Sequence, residues 1–444
     1  MALLECFAIR LPKWVPSGAR SPARQTDSLT GGSRRAVRHS GRGASAGLLL
    51  VALLAAALTG GRAVAQTTAG LEIDLRSGRK LVAQKLIGDR DGGYRATVDG
   101  RAEVIAPRDL VAVRRGPARA PELLRIELVG GERLFGALVG GDANGDELQV
   151  LSPVLGKQSV PVDRLAAVVQ PGVHPGDQLV PDGVDEALFV PTRRGFDLVA
   201  GTLFRFGEQG LQFQADGREE AVWYAPRKFS SLRLRGGVER EQAFGCTLLT
   251  RSADRLGVRL ERCTEEGVEV TLESGDRAVV RWLDVGCLVF EADLLHLSDL
   301  QPSEVVERGF DGEAVLRWRR DRSVAGGELL ARGRAYGRGL GVHSWSRLSY
   351  VVPEGATHFR AGVAMDDSVG ALPLRARAAA KVLRNGEPVF EVEDLAVGQP
   401  VRDVGLHPVS PGDTITLEVD FGVGRDLGDR VDWLLPVFLT RRGS

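Results

Sequence analysis

The residues best placed to do chemistry lie between Tyr336 and Asp367. In Tyr336-Gly-Arg-Gly-Leu-Gly-Val-His-Ser344, three glycines on alternate positions (Gly337, Gly339, Gly341) lead to His343. Such spacing excludes a stable helix, since each glycine costs about 1 kcal/mol there relative to alanine, and it predicts a tight bend or a close-packed strand. A neutral imidazole at its end offers one donor and one acceptor, which matches the donor-acceptor character of a sugar hydroxyl. Trp345 is two residues on, so in one extended strand it shares a face with His343, where its ring could stack on the apolar face of a pyranose. Asp366 and Asp367 follow a strand expected to reach the same edge and could accept hydroxyl bonds. Tyr336 and Arg338 flank the glycines and complete the candidate ligand set. For His343, a histidine bonded to neighbouring backbone is an equal reading, and for Trp345 core packing is at least as strong.

The elements that must carry these residues are strands. Ser346 to Val352, Thr357 to Ala364, Arg375 to Leu383, Pro388 to Val392, Thr414 to Phe421 and Trp433 to Thr440 alternate or run apolar between Gly, Pro and Asp turns, and Asn385-Gly386 is a hairpin signal. Six strands over residues 293–444 predict a two-sheet sandwich. Trp433 opens the apolar run Leu434 to Leu439, which favours a core role for it.

Ahead of it, residues 71–290 form short alternating strands with a recurring signature: Ile105-Ala-Pro-Arg-Asp-Leu110, Val160-Pro-Val-Asp-Arg-Leu165, Tyr224-Ala-Pro-Arg-Lys-Phe229 and Val280-Arg-Trp-Leu-Asp-Val285. The sixth position is apolar each time. We read four units of the size of SH3-like or Sm-like barrels, two over 66–170 and two over 191–292, divided by a proline-rich linker at 171–190. Unrelated hairpins in one larger sheet are the competing reading. The expected fold class is therefore all-β, with tandem small barrels followed by a C-terminal β-sandwich.

Leu297 to Leu300, Gly333 to Ser344, Met365-Asp-Asp367, the strand-turn-strand Lys381 to Val392 and Asp429-Arg-Val-Asp-Trp433 stand in an order and spacing that resemble the NPCBM family of carbohydrate-binding modules. The resemblance covers about the last third of the chain. It implies a galactose-binding-like jelly roll, a galactose-type glycan as ligand, and a structural calcium of the kind related sandwiches hold. In this family the closing motif usually reads Asp-His-x-x-Trp, and here Arg430 replaces the histidine. That departure keeps a second reading open, a periplasmic or surface scaffold whose partners are envelope proteins. An accessory part of a glycoside hydrolase system is the third.

Composition narrows the rest. Residues 66–444 carry 49 Arg and Lys against 56 Asp and Glu, a net charge of −7, which disfavours nucleic acid and anionic membrane as partners. The one GxSxG match, Gly43 to Gly47, lies in the predicted leader, and no HExxH, P-loop or dinucleotide fingerprint occurs, so neither an enzyme nor a cofactor is expected. The apolar run Gly47 to Leu58, preceded by Arg34, Arg35, Arg38 and Arg42 and followed by Ala63-Val-Ala65, predicts a signal peptide over 1–65 and an exported protein. The run is shorter than the ~18–20 residues of a membrane span, so none is expected after cleavage. The leader is long, and a non-AUG start near Val37, making 1–36 a start-site artefact, is the expectation. Cys246, Cys263 and Cys287 are odd in number and match no zinc spacing.

Overall fold

The structure, a computed structural model, describes residues 70–173, 180–235, 245–309, 316–372, 375–422 and 428–441. The predicted leader and residues 174–179 of the proline-rich stretch lie outside them. Nearly every element is a β-strand.

The same pairing occurs four times before residue 291. Strand Leu71–Leu75 lies antiparallel to Leu110–Arg114, Leu124–Leu128 to Leu165–Val169, Glu186–Thr192 to Ser231–Leu234, and Cys246–Thr250 to Val285–Phe290. A three-residue 3-10 turn precedes the closing strand each time, at Pro107–Asp109, Val162–Arg164, Pro226–Lys228 and Trp282–Asp284. These turns are the third to fifth residues of the recurring signature, and its apolar sixth residues, Leu110, Leu165, Phe229 and Val285, are all buried. Closing strands also pair across segments, Leu110–Arg114 with Val285–Phe290 and Leu165–Val169 with Ser231–Leu234. The first segment thus joins the fourth, and the second joins the third. Strand Glu186–Thr192 begins inside the proline-rich stretch. Its Pro191 pairs on one side only, with Phe196, where a missing N–H costs no ladder bond.

The sandwich follows. One sheet carries Arg319–Arg320, Gly339–His343, Arg430–Thr440, Ala356–Met365 and Arg402–Pro408, with Leu294–His296 added on Arg430–Thr440. The other carries Glu304–Glu307, Ser346–Val351, Thr414–Phe421, Ala378–Arg384 and Glu387–Leu395. Trp433, Phe359, Phe438, Val363 and Leu417 fill the space between them. The glycine run is a close-packed strand, not a tight bend. A Cβ on Gly339 would sit 2.4 Å from the Trp433 carbonyl oxygen, and one on Gly341 2.3 Å from that of Arg322.

A third core joins the four segments to the sandwich through Val111, Leu249, Cys287 and Val289 on one side and Leu329, Tyr336, Leu434 and Leu435 on the other. Charges cross the same junction. The Arg114 guanidinium, paired with Asp74 at 2.7 Å, lies 4.5 Å from the centre of the Tyr336 ring. Arg360 donates to the Leu75 carbonyl at 2.6 Å, and Arg133 pairs with Glu328. Arg338 meets Glu291 and Asp299 at 2.6 Å each and Asp321 at 3.1 Å, while Arg255 also pairs with Asp321.

Candidate functional site

The six candidate residues separate into three groups. Tyr336 and Arg338 are buried, 6% exposed each, and point into the junction. Their expected ligand role is corrected: the glycines that bring the backbone close also turn these side chains onto Arg114 and onto the carboxylates of Glu291, Asp299 and Asp321. Asp366 and Asp367 are committed to backbone as well. Asp366 is 1% exposed and accepts from Ser368 N at 3.0 Å, capping the 3-10 turn Asp367–Ala371, and from Leu330 N at 3.2 Å. Asp367 accepts from Arg332 N at 2.9 Å and Gly333 N at 2.6 Å. All four carboxylate oxygens therefore hold backbone N–H groups. Asp366 is buried, and both side chains brace the backbone at positions 330, 332, 333 and 368, while two carboxylates supply too few oxygens for the calcium that the resemblance implies, an ion that takes six to eight. Among the described residues no three His, Cys, Asp or Glu side chains converge as metal ligands.

Behind Asp366 lies Asp432, wholly buried in the central strand and in register with Gly341 and Ala364. Burial, then the adjacent Asp366 charge, push the Asp432 carboxyl well above the usual carboxylate range. Trp433 is fully buried, as its apolar run predicts.

His343 and Trp345 remain half-exposed at one corner. They do not share a strand: Gly339–His343 ends in one sheet and Ser346–Val351 begins in the other, so the chain crosses between sheets at Ser344 and Trp345. His343 Nδ1 lies 2.7 Å from the Ser344 carbonyl oxygen. A carbonyl only accepts, so Nδ1 carries the hydrogen and Nε2 is the acceptor of the neutral ring. Ser344 Oγ donates to Asp429 at 2.7 Å, which fixes the crossing.

Sequence reasoning missed two arginines here, Arg308 and Arg347, and named the third, Arg430, only as a departure from the family motif. Arg308 and Arg347 place their guanidiniums 5.2 and 5.3 Å from the centre of the Trp345 ring, so the indole carries two cations. Arg347 is neutralised by Glu418, which accepts at 3.0 and 2.7 Å. Arg430 is the cross-strand neighbour of His343, and its guanidinium donates to Ser368 Oγ at 3.1 Å. Arg347 could have been found as Trp345's neighbour at two positions' remove. Arg308 could not, because it follows the separate strand Glu304–Glu307, whose last residue pairs with Ser346.

This corner and its two sheets belong to a recognisable module. Residues 294–439 match the NPCBM/NEW2 domain. The NPCBM/NEW2 segment thus contains the glycine strand, the corner and the central strand together. Among solved structures, the CBM51 module of Clostridium perfringens GH95 in complex with methyl-galactose is 20% identical, with a TM-score of 0.29 over 33% of this chain and 99% of that one. Tandem CBM51 modules of Sp3GH98, the family 98 glycoside hydrolase from Streptococcus pneumoniae, are 12% identical, with a TM-score of 0.29 over 84% of this chain and 88% of that one. CBM51-2 in complex with GlcNAc and the INT domains of Clostridium perfringens ZmpB are 21% identical, with a TM-score of 0.30 over 40% of this chain. This chain spans only 38% of that ZmpB chain. A comparison with curated proteins finds no match.

Proposed function

We propose that the protein is an exported, non-catalytic carbohydrate-binding protein whose NPCBM/NEW2 segment presents a glycan site at the His343–Trp345 corner. The observation that carries this reading is that corner itself. Within a segment matching a carbohydrate-binding module, His343 and Trp345 stay half-exposed, with an imidazole acceptor beside an indole. By family resemblance the glycan is galactose-type. The Arg-flanked apolar run ending in Ala63-Val-Ala65 supports export. The four similarly paired segments read as copies of one small barrel, fused through the junction as a rigid base for the sandwich.

The scaffold reading is favoured by one observation. Arg430 stands where the family has histidine, and two guanidiniums already lie against Trp345. A glycan array probed with residues 66–444 separates the two. Retention on a defined set of glycans, lost in Trp345→Ala, is the expected result; a blank array for a folded chain favours the scaffold.

A further inference from the structure

We infer that the corner selects a glycan bearing an anionic group, a carboxylate or a sulfate, over its neutral counterpart. The inference rests on the carbohydrate reading above and names the ligand class of that same site.

The argument is one of charge balance. Of the buried arginines, Arg114, Arg133, Arg164, Arg255 and Arg338 each face a carboxylate, whereas Arg360 donates to the Leu75 carbonyl. At the corner the balance is incomplete. Of its three arginines, Arg347 has Glu418, but among the described residues Arg308 and Arg430 have no acidic partner. Arg430 is half-buried, and its one described side-chain contact is a neutral hydroxyl. A half-buried guanidinium has lost part of its hydration, so an acceptor carrying full charge is the group that best restores it.

Geometry adds to this. Arg430 is directly across the strand pair from His343, and Arg308 is hydrogen-bonded through its backbone to Trp345 at 3.0 and 3.1 Å. These two cations, without an acidic partner among the described residues, therefore bracket the imidazole acceptor and the indole. A guanidinium has five donors in a fixed fork and no acceptor, which matches the two oxygens of a carboxylate or two of a sulfate. The histidine that the family usually carries at this position suits hydroxyls, which both donate and accept.

The test is a titration of residues 66–444 with three methyl glycosides that share the galactose ring: galactose, galacturonic acid and galactose 6-sulfate. At least one anionic sugar should bind about tenfold more tightly than galactose, the difference between a charge-assisted and a neutral hydrogen bond. Which one binds separates the carboxylate from the sulfate. The advantage should shrink as salt is raised and should fall toward parity in Arg430→Gln and in Arg308→Gln. Arg308 is exposed, so its variant keeps the test meaningful if Arg430→Gln lowers the melting temperature. Galactose bound as tightly as both acids, with a ratio unmoved by either variant, overturns the inference and leaves the carbohydrate reading standing. Binding of none of the three by folded protein overturns both.

Discussion

Replacing Arg338 by methionine should destabilise the whole chain. Arg338 has a 7% exposed side chain and holds three carboxylates, those of Glu291, Asp299 and Asp321. Asp299 is 53% exposed, and its loss should matter little, by about 0–1 kcal/mol. Glu291 and Asp321 are the costly ones, at 21% and 12% exposed. Burial pushes the Asp321 carboxyl up, but Arg255 and Arg338 outweigh it and hold it at about 2. Glu291 is likewise held low by Arg338 and the Thr247 hydroxyl against the effect of burial. Removing the guanidinium leaves Asp321 with Arg255 but takes from Glu291 its one ion-pair partner among the described residues, leaving the Thr247 hydroxyl at 2.6 Å. Breaking one side of a buried ion pair costs about 3–5 kcal/mol, and with Arg255 retained we expect the low end, about 3 kcal/mol. Urea denaturation of Arg338→Met beside Arg347→Met measures this, because the Arg347–Glu418 pair has a 41% exposed arginine and should be worth about 1 kcal/mol or less. Equal midpoints for the two variants would refute the view that buried charge fastens the sandwich to the segments before it.

Further expectations follow from the same geometry. Burial, then the Arg338 charge, depress His296 to about 4 from an ordinary 6.5, so the folded state resists its protonation. The associated stability is fully present above pH 6.5 and is lost as pH falls toward 4, to a total of about 3 kcal/mol at 1.36 kcal/mol per unit; urea midpoints between pH 4.5 and 7 should fall on acidification in the native chain and flatten in His296→Gln. Asp432 is shifted the other way, so its contribution is present below the unfolded carboxylate pKa and declines as pH rises through its folded value. Asp432→Asn should therefore raise the urea midpoint at pH 8 and change it little at pH 4. Gly341→Ala places a methyl 2.3 Å from the Arg322 carbonyl oxygen and should cost about 1–3 kcal/mol, whereas Gly370→Ala, whose nearest atom is 3.7 Å away, should be tolerated.

The fold class was legible in the sequence because strands announce themselves locally. Two-residue alternation marks the strands, and the Pro-Arg-Asp and Val-Asp-Arg signatures fall on 3-10 turns before buried apolar residues. Trp433 was readable as core from its own run. The candidate site was only half legible. His343 and Trp345 are two residues apart in sequence and stay together, but the direction in which Tyr336 and Arg338 point depends on Arg114, Glu291 and Asp321, residues distant in sequence. The carboxylates of Asp366 and Asp367 were misjudged for a related reason. Their partners are backbone N–H groups at positions 330, 332, 333 and 368, and no side-chain pattern encodes those. Pairing of the first segment with the fourth is equally silent in sequence, since a strand's open edge does not name its partner.

The central claim is that His343 and Trp345 form a glycan-binding corner, and it is tested most directly by titrating the retained glycan into residues 66–444, His343→Ala and Trp345→Ala, with the melting temperature of each recorded alongside. Neither side chain belongs to the sandwich core, so both variants should melt near the native temperature. Each should weaken binding by about 1–3 kcal/mol, the range for a lost polar or stacking partner. Lowered melting temperature with undiminished affinity per folded molecule would contradict the account.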